Sequence, residues 1–426
     1  MNISKANIKL LILGGKPLCS CELVRTAQKL GLYTIVTDYL PAEESPAKLI
    51  ADEAWDISTG DIAALEKKIL EEGVAGIFTG IHEFNIQACL TLCQKLNLPF
   101  YSTQLQWDTF SNKVLFRDVC RKYSVPAPAE YALRSKSDYN EITFPVIIKP
   151  VDGCASRGIS ICNSIADLDN AISFAREHSS TNHIIAEQYI VGSEVMIYYY
   201  LHNGNIYFTG MCDRHTAKFS ENSLQLPNGY YFPSVYTKTY LSEVDPYVRN
   251  MLQGEGCADG VFSLQAIVNN GHIYIYEACY RLCGTQYHKF LSDHFGFDEL
   301  AELLHLAVNG APVEETSATL CKPDCSDIFF CLPVHITKGR ISSYCGFDTI
   351  SGFSEISDIV FLHHENEQMQ YNSHFTQIFC RIYLTARSKG HLIETIKKIQ
   401  HEIRVYDENH QNMVILPFDT ALLEQE

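Results

Sequence analysis

The chain has no apolar run approaching 18 residues, no C-x-x-C pair, no G-x-G-x-x-G turn, and fewer cations than anions. Each absence excludes something. Without a long apolar run, no transmembrane helix is expected. The opening MNISKANIKLLILGG holds only a short apolar stretch halted by glycines, which does not read as a secretory leader. A cytoplasmic location is therefore expected. Lys and Arg total 33 against 50 Asp and Glu, a formal charge of -17. Broad contact with nucleic acid or an anionic membrane is not expected at that balance. A small anionic ligand stays allowed, because a few lysines in one cleft outweigh a distant field. The 16 cysteines are scattered, and their spacing does not support a zinc site. They read as reduced thiols, mostly buried.

What is present is a chain of 426 residues, 46% hydrophobic and 19% charged. That is an ordinary globular balance, long enough for several domains. Residues 8–14, 32–38 and 73–79 read as strands, and residues 21–31, 61–72 and 83–96 as helices. The alternation predicts an α/β unit with a parallel sheet. From Asn112 the pattern changes. Residues 113–123 form an amphipathic helix stopped by VPAP, and FPVIIKP (144–150) is a strand entering a glycine-containing loop. Two hairpins are expected, turned at Asn203-Gly204 and Asn270-Gly271. Helices are expected at 298–309 and near 389–402, and strands dominate beyond about residue 318.

Four segments together have the chemistry of a nucleotide site. In FPVIIKPVDGCASRGISI, Lys149 ends an apolar strand, followed by Gly153, Ser156, Arg157 and Gly158. Backbone N–H groups, a hydroxyl and cations suit polyphosphate oxygens. Alone, the same segment also reads as a surface hairpin whose lysine reaches solvent. In IIAEQYIVGSE, an extended hinge with Glu187 and Glu194 can read a purine and its ribose, or be a plain edge strand. In LQAIVNNGHIYIYEACYRLCG, Gln265 and Glu277 fall nearly opposite each other around the Asn270-Gly271 turn. Two oxygen ligands so placed can hold Mg²⁺ against phosphate. Arg281 lies just beyond and can stabilise a transferring phosphoryl group; a structural Glu–Arg pair is the plainer alternative. Lys113 opens the helix before the proline-rich stop.

The order and spacing of these elements resemble the ATP-grasp superfamily, in the branch of carbamoyl-phosphate synthase, biotin carboxylase and L-amino-acid ligase. The resemblance implies four segments: an N-terminal Rossmann-like domain (1–112), a lid domain (113–195), a central grasp domain (196–318) and a C-terminal β-rich domain (319–426). It implies ATP and Mg²⁺ as cofactors, with Mn²⁺ an alternative ion. It assigns Lys113, Lys149, Gly153, Ser156, Arg157 and Gly158 to the phosphates. Glu187 with the backbone of Gln188 and Ile190 would take adenine, and Glu194 the ribose. Gln265 and Glu277 would hold metal, with Lys149 and Arg281 catalytic. The family's E-x-N-x-R-x-x-G pattern has Cys279 here in place of asparagine, and a thiol is a poor Mg²⁺ ligand.

The implied reaction joins a small-molecule carboxylate to an amine through an acyl phosphate, releasing ADP and phosphate. A bicarbonate-activating enzyme and a nucleotide-binding regulatory protein are the alternatives. A homodimer is implied by analogy. On the substrate side, Arg214 and Lys218 are candidate carboxylate anchors and His215 a candidate base. Tyr230, Tyr231 and Tyr236 are candidate pocket walls, although core packing explains them as well.

Overall fold

A computed structural model describes residues 8–16, 19–151, 158–219, 225–311, 327–371 and 375–424. The first sheet holds β1 (Lys9–Leu13), β2 (Tyr33–Thr37), β3 (Glu53–Trp55) and β4 (Gly76–Thr79), in the order β3-β2-β1-β4 and all parallel. Leu10, Leu11, Ile12 and Leu13 are all fully buried. Helices cover both faces, so every side chain of β1 has an apolar neighbour. Asp61 caps the helix Ile62–Glu72 by accepting from the Ala64 N–H at 3.1 Å.

The start of the turn after β1 is held by side chains of the same unit. Asp38, at the end of β2, accepts from the Gly15 N–H and the Ser45 hydroxyl, both at 2.7 Å, and pairs with Lys48 at 3.1 Å. The helix Pro46–Ile50 fills that space, with its Ala47 N–H on the Gly15 carbonyl.

The second sheet holds β5 (Glu130–Tyr131), β6 (Val146–Pro150), β7 (Ser160–Cys162) and β8 (Ile184–Gln188), in the order β5-β8-β6-β7. The helix Ile165–Glu177 packs on it through Leu168, Ala171, Ile172 and Ala175.

The largest sheet begins with β9 (Ser193–His202), β10 (Asn205–Lys218), β11 (Gln225–Phe232), β12 (Gly260–Asn269) and β13 (His272–Cys279). The chain then supplies β14 (Ile328–Ile336), β15 (Gly339–Cys345), β16 (Ile356–Phe361), β17 (Gln368–Met369), β18 (Ile378–Ala386), β19 (Arg404–Asp407) and β20 (Val414–Ile415). Nine strands form one sheet, β13-β12-β9-β10-β11-β14-β18-β16 with β20 beside β14, so the sheet runs unbroken from the central segment into the C-terminal one. A small sheet, β17-β15-β19, lies beyond it. Both expected hairpins form: Asn203-Gly204 and Asn270-Gly271 each have two positive φ angles, at 50° and 77° and at 50° and 81°. The helices expected at 298–309 and 389–402 are found at Glu299–Asn309 and Lys389–Glu402. The thirteen cysteines among the described residues are all free, as expected of thiols. No described helix is long and apolar enough to cross a membrane.

Candidate functional site

Lys149 sits on β6 with 6% of its surface exposed, and its ammonium pairs with Glu187 of β8. Register places the two near one another, since β6 and β8 pair Ile147 with Glu187 and Lys149 with Ile185. The other Glu187 oxygen accepts from Arg117 Nε at 2.5 Å. Burial opposes ionisation of Glu187, but Lys149 and Arg117 outweigh it and hold the carboxyl below its ordinary value. Burial pulls the Lys149 pKa down; Glu187 pulls it back up, while Arg117 and Lys113 add to the lowering. Lys113 therefore lies within electrostatic reach of Lys149, as the sequence reading required.

Glu187 differs from expectation. Its carboxylate was to meet the purine amino group, yet both oxygens rest on cations and the residue is 1% exposed. Its role in this arrangement is to hold Lys149. The Gln188 N–H is also taken, by the Ala129 carbonyl at 2.8 Å, and Ile190 is buried. Gly153, Ser156 and Arg157 lie outside the described residues. Gly158 is described, with φ +71°, and an added Cβ there would stand 2.6 Å from His178 and 2.8 Å from Pro150. Gly192, in the hinge after β8, passes so close to β12 that a Cβ would stand 2.0 Å from the Val268 carbonyl oxygen. Only glycine allows that approach.

Gln265 of β12 and Glu277 of β13 are register partners. The ladder shifts between Gln265 and Ala266, whose partner is Ile275, so Tyr276 is an extra residue. This bulge turns Tyr276 toward the same place as Glu277. The Tyr276 hydroxyl donates to Gln265 Oε1 at 2.9 Å and reaches Glu194 Oε2 at 3.4 Å. Burial pushes its pKa up to about 12, so it remains a donor. One carboxylate and one amide oxygen are hard donors, and they fit a divalent ion held against phosphate. Cys279 does not join them: burial pushes its thiol up to about 12, and a protonated thiol is no Mg²⁺ ligand. Arg281 Nη2 pairs with Glu83 Oε1 at 3.2 Å, across to the first residue of the helix Glu83–Leu96.

One row crosses the sheet from here. Glu194 faces Arg214, Arg214 faces Tyr230, Tyr230 faces Cys331, and Cys331 faces Tyr383. Arg381 is two residues from Tyr383 on β18 and shares its face. Of the substrate-side candidates, Arg214 and Tyr230 belong to this row, though Arg214 is committed to an ion pair with Glu194. His215 does not belong. Strand alternation sends it to the other face, where its ring packs edge-on against Phe418 at 5.2 Å. Burial lowers its pKa to about 4, so the ring is neutral, and its place on the other face of the strand takes it away from this cleft. Tyr231 likewise enters the C-terminal core with Phe330. Tyr236 begins the helix Thr237–Glu243, and its hydroxyl lies 3.4 Å from Ser193, one residue out of phase with Glu194. Lys218 is the exposed last residue of β10.

Arg381 was not read from the sequence. It is 7% exposed, and among the described residues its Nε and Nη1 have no hydrogen-bond partner. The groups that bear on it most strongly are Tyr383, Cys331, Tyr230 and Cys283. Nearby, Glu22 of the helix Ser20–Lys29 ties that helix to residues 286–289: it pairs with Lys289 at 2.5 Å and meets His288 at 3.2 Å and Gln286 at 2.8 Å. Lys289 continues to Asp358 at 2.6 Å, and the Tyr383 hydroxyl donates to Gln286 at 2.7 Å. Cys19, Glu22 and His288 come within 4.8 Å of one another, but Lys289 already neutralises the carboxylate a metal would need.

Residues 142–288, which carry Lys149, Glu187, Gln265, Glu277 and Arg281, match the ATP-grasp domain family. The chain carries an ATP-grasp domain. The expected fold is borne out by solved ATP-grasp structures as well. An L-amino acid ligase from Bacillus licheniformis superposes over 94% of this chain and 99% of its own, with TM-score 0.78 and 17% identity. A phosphoribosylglycinamide synthetase from Anaerococcus prevotii does so over 94% and 100%, with TM-score 0.74 and 17% identity. Among curated proteins, the formate-dependent phosphoribosylglycinamide formyltransferase of Wolinella succinogenes is 26% identical over 73% of this chain and 79% of its own. A carbamoyl phosphate synthase large chain from Clostridium botulinum is 22% identical over 65% of this chain, which spans 27% of that longer protein.

Proposed function

We propose that this protein is an ATP-dependent carboxylate–amine ligase. It joins an amino acid or similar small carboxylate to an amine, forming an amide through an acyl phosphate and releasing ADP and inorganic phosphate. The observation that carries the reading is Arg381: a buried guanidinium with unpaired donors, on the sheet face that also bears Gln265 and the Glu194–Arg214 pair. Burying such a group without a partner costs several kcal/mol, roughly, unless a ligand anion completes it. A carboxylate is the anion whose two oxygens match a guanidinium fork.

In this reading, the substrate carboxylate rests on Arg381 and attacks the γ-phosphorus of ATP. Lys149 and Arg281 stabilise charge on the phosphoryl oxygens. Gln265 and Glu277 would hold Mg²⁺, which would supply further neutralisation of the phosphates. The amine then attacks the acyl carbon, and phosphate leaves. Arg281 is paired with Glu83 of the N-terminal segment, so closing that gap helps exclude the water that would hydrolyse an acyl phosphate. In this reading, segments 1–112, 113–195, 196–318 and 319–426 are the N-terminal Rossmann-like domain, the lid, the grasp domain and the C-terminal β-rich domain. On the same reading, the enzyme is a cytoplasmic homodimer.

The test is phosphate release from Mg-ATP across pairs of amino acids and small carboxylates. Amine-dependent ADP formation supports the ligase. ADP formation with bicarbonate alone replaces it with a bicarbonate-activating enzyme. ATP binding with no turnover on any pair replaces it with a regulatory nucleotide binder.

A further inference from the structure

Arg117 lies one helical turn after Lys113 in the helix Lys113–Tyr123 and is 1% exposed. Its guanidinium has two anchors on different sheets. Nε donates to Glu187 of β8 at 2.5 Å, and Nη2 donates to the Tyr276 carbonyl of β13 at 2.8 Å. Tyr276 is the bulged residue, whose hydroxyl donates to Gln265. One planar group thus spans from the carboxylate that holds Lys149 to the bulge that aims Gln265. The neighbouring Ile275 N–H is fixed as well, by the Pro126 carbonyl at 2.8 Å.

We propose that Arg117 is a positioning residue that couples the Lys149–Glu187 pair to the metal-facing hairpin by fixing the bulge at Tyr276. The inference rests on the nucleotide reading of the site. The bulge sets where Gln265 and Glu277 stand, because it alone lets Tyr276 and Glu277 share a face. Arg117 holds that bulge by its carbonyl while leaving Glu187 one oxygen for Lys149. Lysine in its place keeps a charge for Glu187 but lacks the fork needed for both anchors.

The experiment measures ADP binding by calorimetry on the full chain, without metal and across a Mg²⁺ titration. Arg117→Lys is expected to raise the Mg²⁺ concentration for half-maximal enhancement at least fivefold, with metal-free ADP affinity changed less than twofold. Tyr276→Phe, which removes only the hydroxyl on Gln265, is expected to show the same split. The double variant is expected to match the larger single effect, since both act through one bulge. Comparable thermal midpoints check that the variants fold. An unchanged Mg²⁺ response in Arg117→Lys, an equal loss of metal-free affinity, or additive effects in the double variant overturns the coupling. Wild-type protein that binds no Mg-ADP overturns the nucleotide reading itself, so the two failures are distinct.

Discussion

Replacing Arg381 with methionine separates its cost from its use. Methionine keeps an unbranched stem of similar bulk and removes the charge. The guanidinium now leaves Nε and Nη1 unpaired in a site only 7% exposed. Each unsatisfied buried donor costs about 1–3 kcal/mol. Some of that returns as lost contact between the stem and its neighbours, so Arg381→Met is expected to be about 1–3 kcal/mol more stable than wild type. The opposite is expected of activity. Two charge-assisted hydrogen bonds to a substrate carboxylate are worth about 3–6 kcal/mol together, which is roughly a 10²–10⁴-fold fall in kcat/KM. Denaturant unfolding and ADP release on the same preparations give both numbers. A third reading sharpens them. A carboxylate substrate at about 100 times its Kd is expected to stabilise the wild type by about 2.7 kcal/mol and the variant hardly at all. A variant that is less stable, with kcat/KM within threefold of wild type, would refute the reasoning.

Glu277→Gln removes the one carboxylate of the metal pair while preserving its shape, and ADP formation is expected to fall below detection with ADP affinity in the absence of Mg²⁺ unchanged, measured by calorimetry. Cys279→Asn exchanges a protonated thiol for an amide oxygen beside Glu277, so half-maximal turnover is expected at a severalfold lower Mg²⁺ concentration. Asp213 is 3% exposed, and burial raises its carboxyl to about 6, partly offset by the Ser234 hydroxyl at 2.5 Å. A raised acid binds its proton more tightly in the folded state, so stability falls as pH rises from about 4 to about 6. Asp213→Asn is expected to recover up to about 3 kcal/mol in unfolding experiments at pH 8 and nothing near pH 4. Glu22 behaves in the reverse sense. Burial opposes its ionisation, but His288 and Lys289 lower it to about 2, so its contribution is whole above the ordinary carboxylate range and is lost as pH falls toward 2. Glu22→Gln is expected to flatten the acid limb of the stability curve.

The parts of the site that were legible in the sequence are those set by local spacing. A lysine at the end of FPVIIKP, the two flanks of an Asn-Gly turn, and a lysine opening a helix each follow from element type alone. The two-residue turn fixes register as far as Ala266 and Ile275, which brings Gln265 near Glu277, and the bulge at Tyr276 then sets the two opposite each other. What failed was the reading of faces. His215 was grouped with Arg214 because they adjoin in sequence, but adjacent residues on a strand point apart. Tyr276 broke the same rule in the other direction: a bulge placed it with Glu277, and no residue in HIYIYEAC signals that bulge. Arg117 had a readable signal, one helical turn from Lys113. Arg381 had a fainter one, a lone cation inside the apolar strand IFCRIYLTA. It could not be placed in the cleft without the sheet order, because β18 reaches the site only through β14 and β11.

Under the proposed function, the sheet order also bears on how an acidic protein would handle two anions differently. Lys149 is matched to Glu187, Arg214 to Glu194, Arg281 to Glu83 and Lys289 to Glu22. A nucleotide phosphate arriving at Lys149 or Arg281 must compete with a carboxylate already there. That competition lowers its gain from mere charge, and it ties binding to a shift of Glu83 or of the hinge carrying Glu187. Arg381 pairs with no carboxylate among the described residues, where its Nε and Nη1 stay open. A carboxylate reaching it breaks no ion pair and satisfies donors that the fold leaves open. Binding of the small acid therefore needs no rearrangement of the cleft, whereas binding of the nucleotide does. Closure then depends on the nucleotide, and the selection of the acid depends on the walls around Arg381, which are Tyr230, Tyr383 and the thiols of Cys283 and Cys331. Those walls lie on four separate stretches of the chain, which is why no single segment of the sequence spells out the substrate.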